Sequence, residues 1–170
     1  MFRPLIPTFL ALAACGQAST NAATKAPPTG YDFPALTGRV VDSAGILPAG
    51  EETKIAREAE ALERATGHQL VVVTVPTLGG HAIEDYARQL GNNWGIGRKD
   101  IDDGVLIVVA PTERHVRIAI GKGLEATLTD AEAQRIIDRD MLPAFRSGDF
   151  VRGIDGGIAD VIHELGANGR

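Results

Sequence analysis

A chain of 170 residues, 44% hydrophobic with 5% aromatic and 23% charged residues, has the size and balance of one soluble domain with a sizeable core plus terminal segments. A formal charge of −5, with no Lys/Arg stripe interleaved with aromatics, argues against a nucleic-acid partner. One cysteine, Cys15, excludes an internal disulfide.

The chain opens with a targeting segment. Residues 1–14 (MFRPLIPTFLALAA) place Arg3 before an apolar run that is too short to span a bilayer and right for a signal-peptide core. Leu12, Ala13, Ala14 and Cys15 resemble the bacterial lipobox, in which the cysteine is lipidated and heads the mature protein; the alternative is a plain secretory signal with Cys15 incidental. Acyl chains on Cys15 would gain about 0.8 kcal/mol per buried CH₂ and anchor the domain without a spanning helix. Gly16 stands where many enteric-type lipoproteins carry an inner-membrane retention Asp, so the resemblance implies a lipid-anchored protein of the bacterial envelope, on the outer membrane and facing the periplasm. Residues 15–36 are small, polar and proline-bearing and read as a flexible tether. The folded domain is expected over 37–165, with 166–170 a disordered tail.

Within the domain, Arg39, Val40, Val41 and Asp42 form a short strand candidate. Pro48, Glu51 and Glu52 then suit the first turn of a helix that buries Ile55, Ala59 and Leu62 and stops at Gly67. Residues 69–75 (QLVVVTV) are a continuous β-branched run, expected to be central and buried on both faces. A second helix over 81–93 buries Ile83, Tyr86, Ala87 and Leu90, and Trp94 beyond it reads as a core plug or a stacking platform. The third strand is 105–109, and a turn over 111–113 joins it to a fourth over 115–120. Thr129 and Glu132 form a capping box for a third helix that ends before Pro143. The last helix, 149–165, carries Gly153, Gly156 and Gly157, expected to let it approach the sheet closely. Strands alternating with helices, plus one hairpin, predict a three-layer α/β/α sandwich with a mixed, mainly four-stranded sheet.

The chemistry concentrates in DIDDG (100–104) and GKGLE (121–125). A turn centred on Thr112 would set Val105 opposite Ala119 and Asp103 opposite Gly121, so that Asp102, Asp103 and Glu125 share one edge. Gly121, Lys122 and Gly123 would then form a ligand loop, its glycines admitting close backbone approach. Oxygen-only ligands suit Ca²⁺ or Mg²⁺; neither thiolates nor paired imidazoles are available for zinc, and no motif implies an organic cofactor. Turn formation alone is the competing explanation of the acids. Asp42 joins the set only if the first strand runs antiparallel to the third. Arg117, mid-strand, lies roughly 13 Å from the acidic edge at ~3.3 Å per residue, too far to clamp a phosphate beside Asp103. His68, His81, His115 and His163 show no ligand spacing, and Ser43 lacks the flanking glycines of a nucleophile elbow.

As an ordered set, Val41–Asp42 with Ala44–Gly45, Thr66–Gly67 before QLVVVTV, Asn93–Trp94–Gly95–Ile96–Gly97, Asp103–Gly104–Val105–Leu106, and Arg117 with Gly121, Gly123, Leu124, Glu125, Thr129 and Asp130 resemble the TPM-domain family. Its plant member is described as a thylakoid-lumen acid phosphatase linked to photosystem II repair. The resemblance spans about 36–165 and implies a mixed α/β sandwich. It also implies Ca²⁺ binding near the loops matching Asp42, Asp102, Asp103 and the glycine-rich stretch. Many bacterial members continue into a transmembrane helix and a glycine-rich tail, whereas here lipid on Cys15 would take over the anchoring. The expected function is therefore a membrane-tethered, cation-binding interaction module in envelope protein assembly or maintenance, engaging an unidentified envelope protein. The alternative is a weak metal-dependent phosphatase acting on phosphomonoesters, whose catalytic residues the sequence does not identify.

Overall fold

The computed structural model describes residues 25–167; the signal segment, Cys15, the stretch 16–24 and the last three residues lie outside the described residues. Four strands form one sheet in the order β1 (Val40–Asp42), β2 (Gln69–Thr74), β3 (Gly104–Ala110), β4 (His115–Ile120). The first three are parallel and β4 runs antiparallel to β3. Helix α1 (Ala49–Thr66) ends at Gly67, whose φ of 82° is the left-handed cap expected of it. It buries Ile55, Ala59 and Leu62 against Leu70, Val72 and Ile107. On that face it is joined by α5 (Phe150–Ala167) and by a bent helical stretch made of α3 (Asp130–Ile136), a π-helical segment (Ile137–Met141) and α4 (Leu142–Arg146). Helix α2 (Ile83–Trp94) covers the opposite face, setting Ile83, Tyr86, Ala87, Leu90 and Trp94 over Val71, Val73, Leu106 and Val108. The three layers are those the pattern predicted.

Because β1, β2 and β3 follow one another across the sheet while α1 and α2 lie on opposite faces, the two crossovers have opposite hands. One of them therefore departs from the usual right-handed connection. The loops after β1 and β2 consequently leave in opposite directions.

Three expectations need correction. The β3–β4 turn has four residues, with Arg114 at φ 59°, so Val105 faces Ile120 and Leu106 faces Ala119; the expected register is off by one. The glycines of α5 approach the neighbouring helical stretch, not the sheet. A Cβ on Gly153 would overlap the Phe145 ring, and one on Gly157 would sit 2.7 Å from the Met141 sulfur. The third helix ends before Pro143, as expected, at Ile136, and the chain stays helical beyond it, with Pro143 in the first turn of α4, where its missing N–H costs nothing. Finally, residues 25–36, read as tether, pack along α2. The Tyr31 hydroxyl donates to Asp85 and its ring stacks on His81 with centroids 4.0 Å apart. Trp94 Nε1 donates to the Pro34 carbonyl and the Tyr86 hydroxyl to that of Asp32. Tyr31, Phe33 and Leu36 supply the apolar contacts that hold this strap.

Candidate functional site

Strand direction decides which predicted residues meet. With β1 parallel to β2 and β2 to β3, Asp42 pairs with Thr74 at the carboxyl ends of the strands, whereas Asp103 precedes β3 at their amino ends. Asp42 therefore stands at the far edge from Asp102, Asp103 and Glu125. Its carboxylate closes the loop after β1, accepting the Ile46 and Leu47 N–H groups and the Thr74 hydroxyl, which in turn accepts from Ala44.

At the amino-end edge Asp103 is 1% exposed. Oδ1 accepts the Arg98 backbone N–H at 2.8 Å, while Oδ2 accepts Arg98 Nε at 2.7 Å and Nη2 at 2.5 Å and lies 3.2 Å from His68 Nδ1. Burial pushes the Asp103 carboxyl up, but the guanidinium and backbone donors of Arg98, together with His68, outweigh it and hold it at about 2. It is an internal anion with its lone pairs occupied.

Gly121 and Gly123 are needed because other backbone is pressed against them. A Cβ on Gly121 would overlap the Asp102 carbonyl and one on Gly123 the Ile101 carbonyl oxygen. The Gly121 N–H donates to Gly104 and that of Gly123 to Asp102, so the glycine-rich stretch clamps the 98–103 loop. Gly97, at φ 99°, approaches Gly104 from the other side, where a Cβ would come within 2.7 Å of its nitrogen. The predicted ligand cradle is a backbone-to-backbone brace.

This brace holds an exposed rim. Asp102, Lys122 and Glu125 are exposed, as are Lys99 and Asp100. Asp100 and Asp102 have φ of 69° and 54°, left-handed backbone that Asp tolerates better than bulkier residues. Between them Ile101 is 46% exposed, the one large hydrophobic side chain so exposed among the described residues. Among those residues no three His, Cys, Asp or Glu side chains group to hold a metal ion. The set Asp42, Asp102, Asp103 and Glu125 therefore does not fit Ca²⁺ or Mg²⁺: one member is at the far edge and another is saturated by cationic and N–H donors. Arg117 pairs with Asp130 at 2.6 Å, away from Asp103.

Of the residues at this edge, Arg98 is absent from the sequence expectations and His68 stands there only among histidines without ligand spacing. Arg98 is five positions before Asp103, a span that closes only through the left-handed turns. His68 precedes Gln69, which pairs with Gly104, so it falls beside Asp103 once β2 and β3 are parallel.

The fold is a three-layer α/β domain with a mixed four-stranded sheet and a braced loop at one sheet edge. The chain belongs to the TPM domain family, whose pattern it matches over residues 40–164. Among solved structures it is similar to the N-terminal domain of a protein from P. gingivalis, at 33% identity and a TM-score of 0.73, over 78% of this chain and 85% of that one. The BA42 protein of Bizionia argentinensis (24% identity, TM-score 0.62, 71% and 82% covered) shares the fold. So does the N-terminal domain of the cg2496 protein of Corynebacterium glutamicum (18% identity, TM-score 0.59, 86% and 88% covered). The curated proteins offer no match to this chain.

Proposed function

We propose that this protein is an envelope-tethered TPM-domain interaction module that meets a partner protein through the braced 98–103 loop. The observation that carries the reading is Ile101: an exposed β-branched side chain held on a loop pinned from below by Asp103 and from the side by Gly123. A loop fixed before binding loses less conformational freedom on association, so a small apolar anchor with a charged rim suffices for specific contact. Strained backbone at Asp100 and Asp102 is of the kind that collects at binding loops. Lipid on Cys15, at the end of the lipobox-like segment, would hold this surface at the outer membrane facing the periplasm and raise its effective concentration against other envelope proteins. No step of this reading passes through Ca²⁺ or Mg²⁺.

A photo-crosslinking side chain at position 101 of the full chain, in cell envelopes, tests the reading. A discrete adduct is expected at 101 and none with the same group at Thr53, exposed on α1; competition by soluble wild-type domain, but not by Ile101→Asp, should remove it. Equal labelling at both positions, or phosphomonoester hydrolysis by pure protein that Asp103→Asn abolishes without unfolding it, would overturn the reading in favour of non-specific contact or of the phosphatase.

A further inference from the structure

The other edge of the sheet carries a separate cavity. Where loops from two adjacent parallel strands leave toward opposite faces, a crevice opens at the carboxyl ends of the strands, and in open α/β sheets ligands bind there. The loops after Asp42 and Thr74 diverge in this way. The space between them, about 220 Å³, is lined by Ser43 from one loop, by Thr77 and Leu78 from the other, and by Phe33 and Tyr86, with the 30–34 strap as its third wall. That volume is below the ~300–1,000 Å³ of sites for drug-sized ligands, so it suits one side chain and excludes a nucleotide.

Charge then selects the side chain. Asp32 is the one lining residue with a fixed charge, and neither lysine nor arginine lines the cavity. Thr77 and Leu78 both donate to Glu113 Oε1, and Glu113 Oε2 is buried without a hydrogen-bond partner among the described residues. The Tyr86 hydroxyl registers this field: burial raises it to about 12, with the negative charges of Asp32 and Glu113 adding to the rise. Phe33 and Tyr86 meet edge to face with centroids 5.2 Å apart, giving the crevice an aromatic wall on which a cation gains attraction from the ring quadrupole. His81, also in the lining, already has Nε2 3.0 Å from the Gly30 carbonyl and its ring stacked on Tyr31.

We infer that the crevice between the ends of β1 and β2 binds the ammonium group and aliphatic stem of a lysine side chain presented by a partner protein. A phosphate or carboxylate would meet Asp32 with no counter-charge, whereas an ammonium finds the Asp32 carboxylate, the Ser43 hydroxyl and an aromatic wall, with the Glu113 carboxylate behind Thr77 and Leu78 adding to the negative field. This surface lies across the sheet from Ile101, so its failure leaves the loop reading standing.

The test is amide NMR of the full chain titrated with Nα-acetyl-lysine methylamide, beside the norleucine analogue of equal length without charge, the Nε-acetylated lysine, and phenyl phosphate. Saturable shifts confined to Ser43, 77–79 and His81, with a dissociation constant on the order of 1 mM, are expected for the lysine compound alone. Asp32→Asn, at an exposed position that does not threaten folding, should weaken binding severalfold, and Phe33→Leu likewise. Equal shifts with norleucine, shifts of the same amides with phenyl phosphate, or indifference to Asp32→Asn would each overturn the inference.

Discussion

Replacing Asp103 by asparagine separates a structural from a chemical role for the acid that dominates the amino-end edge. The amide can keep its oxygen toward the Arg98 backbone N–H, but its NH₂ then faces Arg98 Nε, Nη2 and His68, so two charge-assisted hydrogen bonds are lost. Such bonds contribute roughly 1.5–3 kcal/mol each when buried. Arg98 is 48% exposed and recovers part of this by turning to water, leaving a cost of about 2–3 kcal/mol. Linkage gives a comparable figure: a carboxyl held at about 2 against an ordinary 3.8 corresponds to about 2 kcal/mol at neutral pH. Because the folded-state value is depressed, this stability is present above the ordinary carboxylate range and is lost as pH falls toward 2. Urea denaturation followed by circular dichroism should therefore show Asp103→Asn less stable by about 2–3 kcal/mol at pH 7, or about 5–10 °C in Tm, with the gap closing between pH 4 and pH 2. A double-mutant cycle with Arg98→Gln should return most of the loss as coupling. A gap below about 0.5 kcal/mol at pH 7, or one that does not change with pH, would refute the internal ion pair as what holds the loop.

Gly123→Ala forces a methyl into the Ile101 carbonyl, and because that neighbour is backbone the loop must move; we expect a loss of more than about 2 kcal/mol and faster hydrogen exchange across 98–103, and wild-type protection would contradict it. Two glycines of α5 should respond with opposite signs. Gly156→Ala puts a Cβ 3.4 Å from Asp140 Cβ, ordinary contact, and gains up to about 1 kcal/mol of helix propensity, whereas Gly153→Ala drives into Phe145 and the Met141 carbonyl and should lower Tm by several degrees. Millimolar Ca²⁺ or Mg²⁺ should leave the amides of Asp42, Asp103 and Gly121 in place; saturable shifts gathered on Asp103 and 121–125 would restore the metal site that the geometry disfavours.

Legibility followed the range of the interactions. The layers, the caps at Gly67 and Thr129 and the inward face of α2 were readable because each rests on neighbours within two turns of chain. The hairpin register failed by one residue because Arg114 takes a left-handed turn that nothing in Pro111–Thr112–Glu113–Arg114 announces. The strap departs from expectation for a similar reason: Tyr31 and Phe33 are isolated aromatics in a polar segment, and only the position of His81 just before α2 and of Asp85 and Tyr86 on it gives them partners. The partners of Asp103 were not legible, since Arg98 meets it only through the left-handed turns at Asp100 and Asp102, and His68 only through strand order.

A glycine-acid signature is ambiguous in principle, because an ion cradle and a backbone brace require the same residues. Both need carboxylates beside tight turns, and both need glycine wherever oxygens crowd. The distinction lies in what the carboxylate accepts. Asp103 accepts a guanidinium and a backbone N–H, donors that a cation ligand must shed, while Asp102 contributes its carbonyl to Gly123 and leaves its side chain in water. The most restricted residues of this edge therefore fix the position of the least restricted one, Ile101. Sequence variation at 101 with Asp103, Gly121 and Gly123 kept would change which surface is presented without changing how rigidly it is held.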